Sequence, residues 1–161
     1  MGCEMAATPV RQIFETHLTV RDLDRSVAFY RDVVGLEMAL RNEERNVAFF
    51  WVGGRGTTML GLWAVGSSPL AMKLHTAFAV DLQDLLAAPE VLRKAGVTPL
   101  DFYSRPAIEL SVLAWMPAAS VYFEDPDGHS LEYIAMLPNN PRPEVGIVSY
   151  SEWIKGMAAA R

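Results

Sequence analysis

The sequence predicts an α+β protein built from two tandem βαβββ modules. Three observations predict it: each half opens with a strand-like alternation followed by a helix-period segment, the same landmarks recur in the same order, and Gly66-Ser67-Ser68-Pro69 divides the halves. The landmarks are His17, Asp22-Leu23 and Val34-Gly35, then His75, Asp81-Leu82 and Ala95-Gly96. The predicted organisation is a flexible leader (1–11), a first module (12–66), a linker (67–73), a second module (74–137) and a Pro-rich tail with a short terminal helix (138–161).

In the first module, residues 13–20 alternate, with Glu15, His17 and Thr19 on one face and Phe14, Thr16, Leu18 and Val20 on the other. Asp22 is placed to cap a helix in which Leu23, Val27, Tyr30 and Val34 recur at helical spacing, and Gly35 stops it. A short strand over 36–40, a solvated charged turn over 41–46 and strands over 47–52 and 57–63 complete the module. The cluster Gly53-Gly54-Arg55-Gly56 joins two strands and opens no helix, so it does not read as a phosphate-binding loop.

The second module repeats the pattern. Residues 74–80 form a strand with His75, Ala77 and Ala79 on one face, and Asp81-Leu82 begins a helical stretch that ends at Gly96. Pro89 lacks an N–H, which predicts a short turn through Leu85 and Leu86 and a separate helix starting near Pro89. A strand over 97–103, a long irregular segment over 104–117 and a strand over 119–124 follow. The chain then turns at Asp125-Pro126-Asp127-Gly128, where Pro126 presets φ, the aspartates bond to nearby backbone and Gly128 supplies φ > 0. On the strand after that turn Ser130, Glu132 and Ile134 share one face, and Leu131, Tyr133 and Ala135 the other. In the tail, Pro138, Pro141 and Pro143 keep the chain extended before a helix over 149–159, with Trp153 and Met157 on one face.

Composition narrows the function. A chain of 161 residues, 51% hydrophobic and 20% charged, is long enough to bury a core and is not a disordered tail. A net charge of −5 without a Lys/Arg stripe argues against nucleic acid and favours a small-molecule partner. The single cysteine, Cys3, builds no internal disulfide or thiolate metal site and fits the reducing cytoplasm. No apolar run reaches membrane-spanning length, and the leader lacks a signal-peptide core.

Glu132 is the residue that needs a partner, because an ionised carboxylate in an otherwise apolar run is costly to bury unless it is paired or metal-bound. His17 and His75 hold matching places on the leading strands, and two imidazoles with one carboxylate are a recurring set for a catalytic divalent metal. Taken singly, a histidine on a strand is more often a hydrogen-bonded, half-buried residue than a ligand, and Glu132 could be an ion-pair partner for an arginine such as Arg105. His129 shares the face of Leu131 and Tyr133 and is excluded from the set.

The stretch Thr16-His17-Leu18-Thr19-Val20-Arg21-Asp22-Leu23, with Ser26, Phe29-Tyr30, Gly35-Leu36 and the turn Asp125-Pro126-Asp127-Gly128-His129-Ser130-Leu131-Glu132, resembles the vicinal oxygen chelate superfamily. That superfamily includes glyoxalase I, fosfomycin-resistance enzymes, extradiol dioxygenases and bleomycin-resistance proteins. The resemblance spans about residues 12–137 and implies one curved, eight-stranded mixed sheet around a cavity, with His17, His75 and Glu132 as metal ligands. It implies one divalent ion (Zn, Mn, Ni or Fe), a homodimer, and a metal-dependent enzyme acting on a small oxygen-chelating substrate. Lyase, isomerase or transferase chemistry fits better than dioxygenase chemistry, which lacks a further histidine here. A bleomycin-resistance-like binding protein without catalysis, with Trp51, Trp63 and Trp115 lining a cleft, is the alternative. Glyoxalase I carries a fourth ligand, a glutamate, where this chain has Gly61. Tyr122 is the expected catalytic hydroxyl, reaching the face of Glu132 if Gly128 forms a one-residue bulge. Residues 104–117 are expected to border the cavity and encode substrate choice.

Overall fold

The structure, a computed structural model, describes residues 12–64 and 73–159. The predicted leader, and the linker up to residue 72, lie outside the described residues. The chain divides into two compact units, Met1–Ser68 and Pro69–Arg161.

The first unit runs β1 (Glu15–Val20), α1 (Leu23–Asp32), β2 (Glu37–Asn42), β3 (Val47–Val52) and β4 (Thr58–Ala64), with sheet order β1-β4-β3-β2 and β1 parallel to β4. Asp22 caps α1 as expected, its carboxylate accepting the Arg25 N–H at 3.0 Å. The helix buries Leu23, Ser26, Val27 and Tyr30, while Gly35 turns the chain at φ +80° into β2. Strand β2 carries on through Arg41 and Asn42, so the charged turn is shorter than its composition predicts.

The second unit runs β5 (His75–Ala79), α2 (Leu82–Lys94), β6 (Ser111–Leu113), β7 (Ala118–Glu124), β8 (Ser130–Met136), β9 (Ile147–Ser149) and α3 (Tyr150–Ala159). Its sheet order is β5-β8-β7-β6-β9, with β5 parallel to β8. Both units therefore place the leading strand beside the last strand of a βαβββ set. The strands hydrogen-bond as two sheets, of four and five strands, where the sequence reading has one sheet of eight. The additional strand is β9 of the tail, which covers the β6 edge.

Two expectations in this unit are overturned. Helix α2 is continuous through Pro89, which costs one backbone bond and about 3 kcal/mol in a typical helix interior. Leu85, Ala88, Pro89 and Leu92 are all buried, and α2 packs on β7 and β8. Burying a leucine contributes about 1.5–3 kcal/mol, so the packed face offsets the lost bond. Residues 97–103 form no strand: Leu100 alone bridges to Tyr122 and Pro106, and Asp101 then turns the chain by accepting the N–H groups of Tyr103 and Arg105, both at 2.9 Å. Strand β6 lies inside the segment read as irregular. In the tail, Trp153 is buried and donates its indole N–H to Asn139 Oδ1 at 3.1 Å.

Candidate functional site

The turn after β7 sets the register of the second unit. Asp125 Oδ1 accepts the N–H groups of Asp127 and His129, both at 2.9 Å, and Gly128 takes φ +83°. Pairing of β7 with β8 is unbroken from Ala118↔Met136 to Glu124↔Ser130, so Tyr122 stands directly opposite Glu132 and no bulge is needed.

His75 of β5, Glu132 and Ser130 of β8, and Ser120 and Tyr122 of β7 form one connected group. Glu132 is buried, with 5% of its surface exposed. Ser120 donates to its Oε1 at 2.5 Å, His75 Nε2 lies 3.1 Å from its Oε2, and Tyr122 stands opposite it across the β7–β8 pairing. Hydrogen bonds to a charged group contribute about 1.5–3 kcal/mol each, which is how the sheet holds this carboxylate. Burial, and then the Glu132 charge, push the Tyr122 phenol well above its ordinary range, so it stays a protonated donor. His75 Nδ1 lies 3.2 Å from Ser130 Oγ. A hydroxyl both donates and accepts, so His75 can carry its proton on either nitrogen. With the proton on Nδ1, the Nε2 lone pair and Glu132 Oε2 are a nitrogen and an oxygen donor of the kind that binds a divalent cation. Ser120 and Ser130 were legible only as polar residues on the same alternating face as Tyr122 and Glu132.

His129 is buried away from this group. Its Nδ1 accepts the Leu74 N–H at 3.2 Å, tying the start of β5 to the turn. Arg105 pairs with Asp101 at 2.8 Å and lies over the Tyr103 ring. Residues 105–111 line a cavity of about 340 Å³ against β9 and Glu152, and none of His75, Ser120, Tyr122 and Glu132 lines it.

His17 belongs to the first unit. Its Nε2 bonds to Glu15 Oε1, its Nδ1 lies 3.0 Å from the indole nitrogen of Trp63, and its ring meets Phe49 edge-on at 5.7 Å. Arg45 covers the Trp63 ring at 4.9 Å. Gly61 lies beneath the imidazole: a Cβ there would come within 2.8 Å of His17 Cδ2 and 3.0 Å of Phe49 Cε1. Among the described residues, no three or more His, Cys, Asp and Glu side chains are grouped as a metal site.

Strand register relates the two units. Gly61 pairs with His17 and Phe49, as Glu132 pairs with Ala77 and Tyr122. Gly61 thus takes the place of Glu132 and Phe49 that of Tyr122. The place of His75, two residues before Ala77, is held by Glu15, so the landmark pairing of His17 with His75 is displaced by two residues.

Residues 12–133 match the family described as Glyoxalase/Bleomycin resistance protein/Dioxygenase superfamily. The chain is 30% identical over 132 residues to a lactoylglutathione lyase of Haemophilus influenzae, covering 76% of this chain and 91% of that protein. It is 32% identical over 127 residues to the glutathione transferase FosA of Serratia marcescens, covering 72% and 76%. Among solved structures, a lactoylglutathione lyase from Agrobacterium tumefaciens superimposes with a TM-score of 0.60 at 28% identity, over 80% of this chain and 96% of that one. The repeated βαβββ order and these matches agree: the chain belongs to the Glyoxalase/Bleomycin resistance protein/Dioxygenase superfamily.

Proposed function

We propose that the protein is a metal-dependent enzyme acting on a small substrate that presents neighbouring oxygen atoms, with His75 and Glu132 as metal ligands and Tyr122 as its catalytic hydroxyl. The observation that carries this reading is the buried Glu132 carboxylate with His75, Ser120 and Tyr122 gathered on it. His17, the third residue of the sequence reading, belongs to the first unit, where it bonds to Glu15 and Trp63. A bound divalent cation supplies Lewis-acid stabilisation of negative charge on substrate oxygen. Ser120 fixes the carboxylate through Oε1 and leaves Oε2 beside His75. Tyr122 holds its proton and donates it, or a hydrogen bond, to a substrate oxygen. The two relatives named above bear names that involve glutathione, so a glutathione-linked substrate is the first to assay. A homodimer in the cytoplasm is the assembly and compartment of this reading.

A second reading, ligand binding without chemistry, is favoured by the aromatic face of His17, Phe49 and Trp63 in the first unit. Zn²⁺, Mn²⁺, Ni²⁺ and Fe²⁺ separate the two. The enzyme reading predicts that at least one of them raises the unfolding temperature of the wild type and none does so for Glu132→Gln. Equal shifts in both proteins, with no turnover in the lyase or transferase assay, favour the binding protein.

A further inference from the structure

We propose that Phe102 is a partition: it closes the site of Tyr122 and Glu132 off from the neighbouring cavity of about 340 Å³, and so sets how far a bound substrate reaches toward β6. This rests on the reading of Glu132 and Tyr122 as the substrate site and concerns the second unit alone.

Site and cavity lie on one face of one sheet. In the pairing of β6 with β7, Ser111 stands opposite Ser120, so both side chains leave the face that also carries Tyr122 and Glu132. Ser111 lines the cavity, as does Ser149, its partner on β9. The cavity therefore begins one strand over from Ser120, a step of about 4.7–4.9 Å. Phe102 stands at that step. Its N–H donates to Ser111 Oγ at 3.1 Å, and its chain neighbours Asp101 and Tyr103 line the cavity. Its ring is turned to the other side, meeting the Tyr122 ring edge-on at 6.1 Å and 76°. His75 meets the same phenol ring at 6.2 Å from the direction of β8.

The partition is fixed rather than hinged. Leu100 exchanges two backbone bonds with Tyr122, at 2.6 and 3.0 Å, which ties the segment to β7 just before the wall. Asp101 accepts the N–H groups of Tyr103 and Arg105 and the Arg105 guanidinium, and its own N–H donates to the Arg105 carbonyl at 2.8 Å. These bonds hold the main chain on both sides of Phe102 and do not involve its side chain. The ring is 42% exposed, so cutting it back opens space without emptying a packed core. The carboxylates that line the cavity are engaged, Asp101 with Arg105, Glu109 with Ser151 and Glu152 with Ser149, which leaves Ile108 and Ile147 to receive an uncharged tail. The wild-type site accordingly takes a substrate that is compact on the β6 side, and Phe102→Ala admits a longer one.

The test is calorimetric titration of the Zn²⁺-loaded full chain with two hydroxamates that share one pair of neighbouring oxygens and differ in their tails, acetohydroxamate and biphenyl-4-carbohydroxamate. Phe102→Ala is expected to tighten the biphenyl ligand by about tenfold or more, the equivalent of burying one apolar ring, and to change acetohydroxamate by no more than about twofold. Adding Ile147→Trp, which fills the cavity, is expected to cancel the gain. Phe102→Val gives the same order with a smaller gain and serves in place of an alanine variant that does not fold. If the shortened side chain leaves the biphenyl ligand no tighter than in the wild type, or if the gain survives filling of the cavity, the partition is overturned while the metal reading stands. A wild type that binds neither ligand, with or without Zn²⁺, overturns both.

Discussion

The two sheets share one strand order and carry opposite chemistry on corresponding faces. In the second unit the central position is Glu132, a buried carboxylate hydrogen-bonded to His75 and Ser120 and facing Tyr122 across the sheet. In the first unit the same register position is Gly61, and an imidazole and a phenyl ring close over it, with the Trp63 indole against the imidazole. A duplicated scaffold therefore does not duplicate a site. One face is polar and gathers hydrogen-bonding groups on a carboxylate, and the other is aromatic and holds its histidine between Glu15 and Trp63.

The contrast can be broken most strongly at Tyr122. Tyr122→Phe removes the hydroxyl on the polar face and should lower turnover of an accepted substrate by about 10²–10⁴-fold, the span of general acid–base contributions, with metal uptake unchanged. Steady-state kinetics beside metal analysis checks both halves of that statement.

Gly61→Ala attacks the other face. A methyl group there meets His17 and Phe49 at or under 3.0 Å, and overpacking of this kind costs about 1–3 kcal/mol. Urea unfolding should show the loss, and most of it should return in the double variant with His17→Ala, where the clashing ring is absent. A cost that persists in the double variant would show that the imidazole is not what closes the position.

His129→Ala probes a histidine outside both faces. Removing the acceptor of the Leu74 N–H should cost on the order of 1 kcal/mol in unfolding free energy and leave Zn²⁺ affinity as it was. A loss of affinity matching that of His75→Ala would place His129 in the site after all.

The smallest effect lies at alkaline pH. Burial pushes the Tyr133 phenol up to about 12, above its ordinary value of about 10, and Tyr122 is shifted in the same direction. A group whose pKa is raised on folding contributes stability that is complete below its unfolded pKa and is lost as the pH climbs through the folded one. The tyrosine contribution to stability should therefore be level below about pH 10 and decline between 10 and 12, less steeply in Tyr133→Phe.

Much of the scaffold was legible because it is written in local chemistry. Asp22, Gly35 and Gly128 are cap, stop and turn residues for stereochemical reasons, and alternation put Glu132 and Tyr122 on the polar faces of their own strands, while the bulge expected to bring those faces together is absent from the unbroken pairing. Two features were not legible because tertiary packing overrides local preference there. Pro89 reads as a helix start but is carried inside α2 by a buried apolar face, and residues 97–103 have strand composition but find only one bridging residue. The register of His17 was missed for a different cause. Glu15 and His17 share a strand face, so alternation cannot distinguish them, and only the pairing with Gly61 shows which of them stands where His75 does. The Trp63–His17 hydrogen bond joins residues 46 apart in sequence, beyond any local pattern.

The central claim is that a divalent cation belongs to His75 and Glu132 of the polar face. The most direct measurement is metal content of the purified protein, by elemental analysis, for the wild type and for His75→Ala. The account predicts one divalent ion per wild-type chain and a small residual fraction in the variant. Equal metal content in the two proteins, or none in the wild type even after incubation with Zn²⁺, Mn²⁺, Ni²⁺ and Fe²⁺, would contradict it.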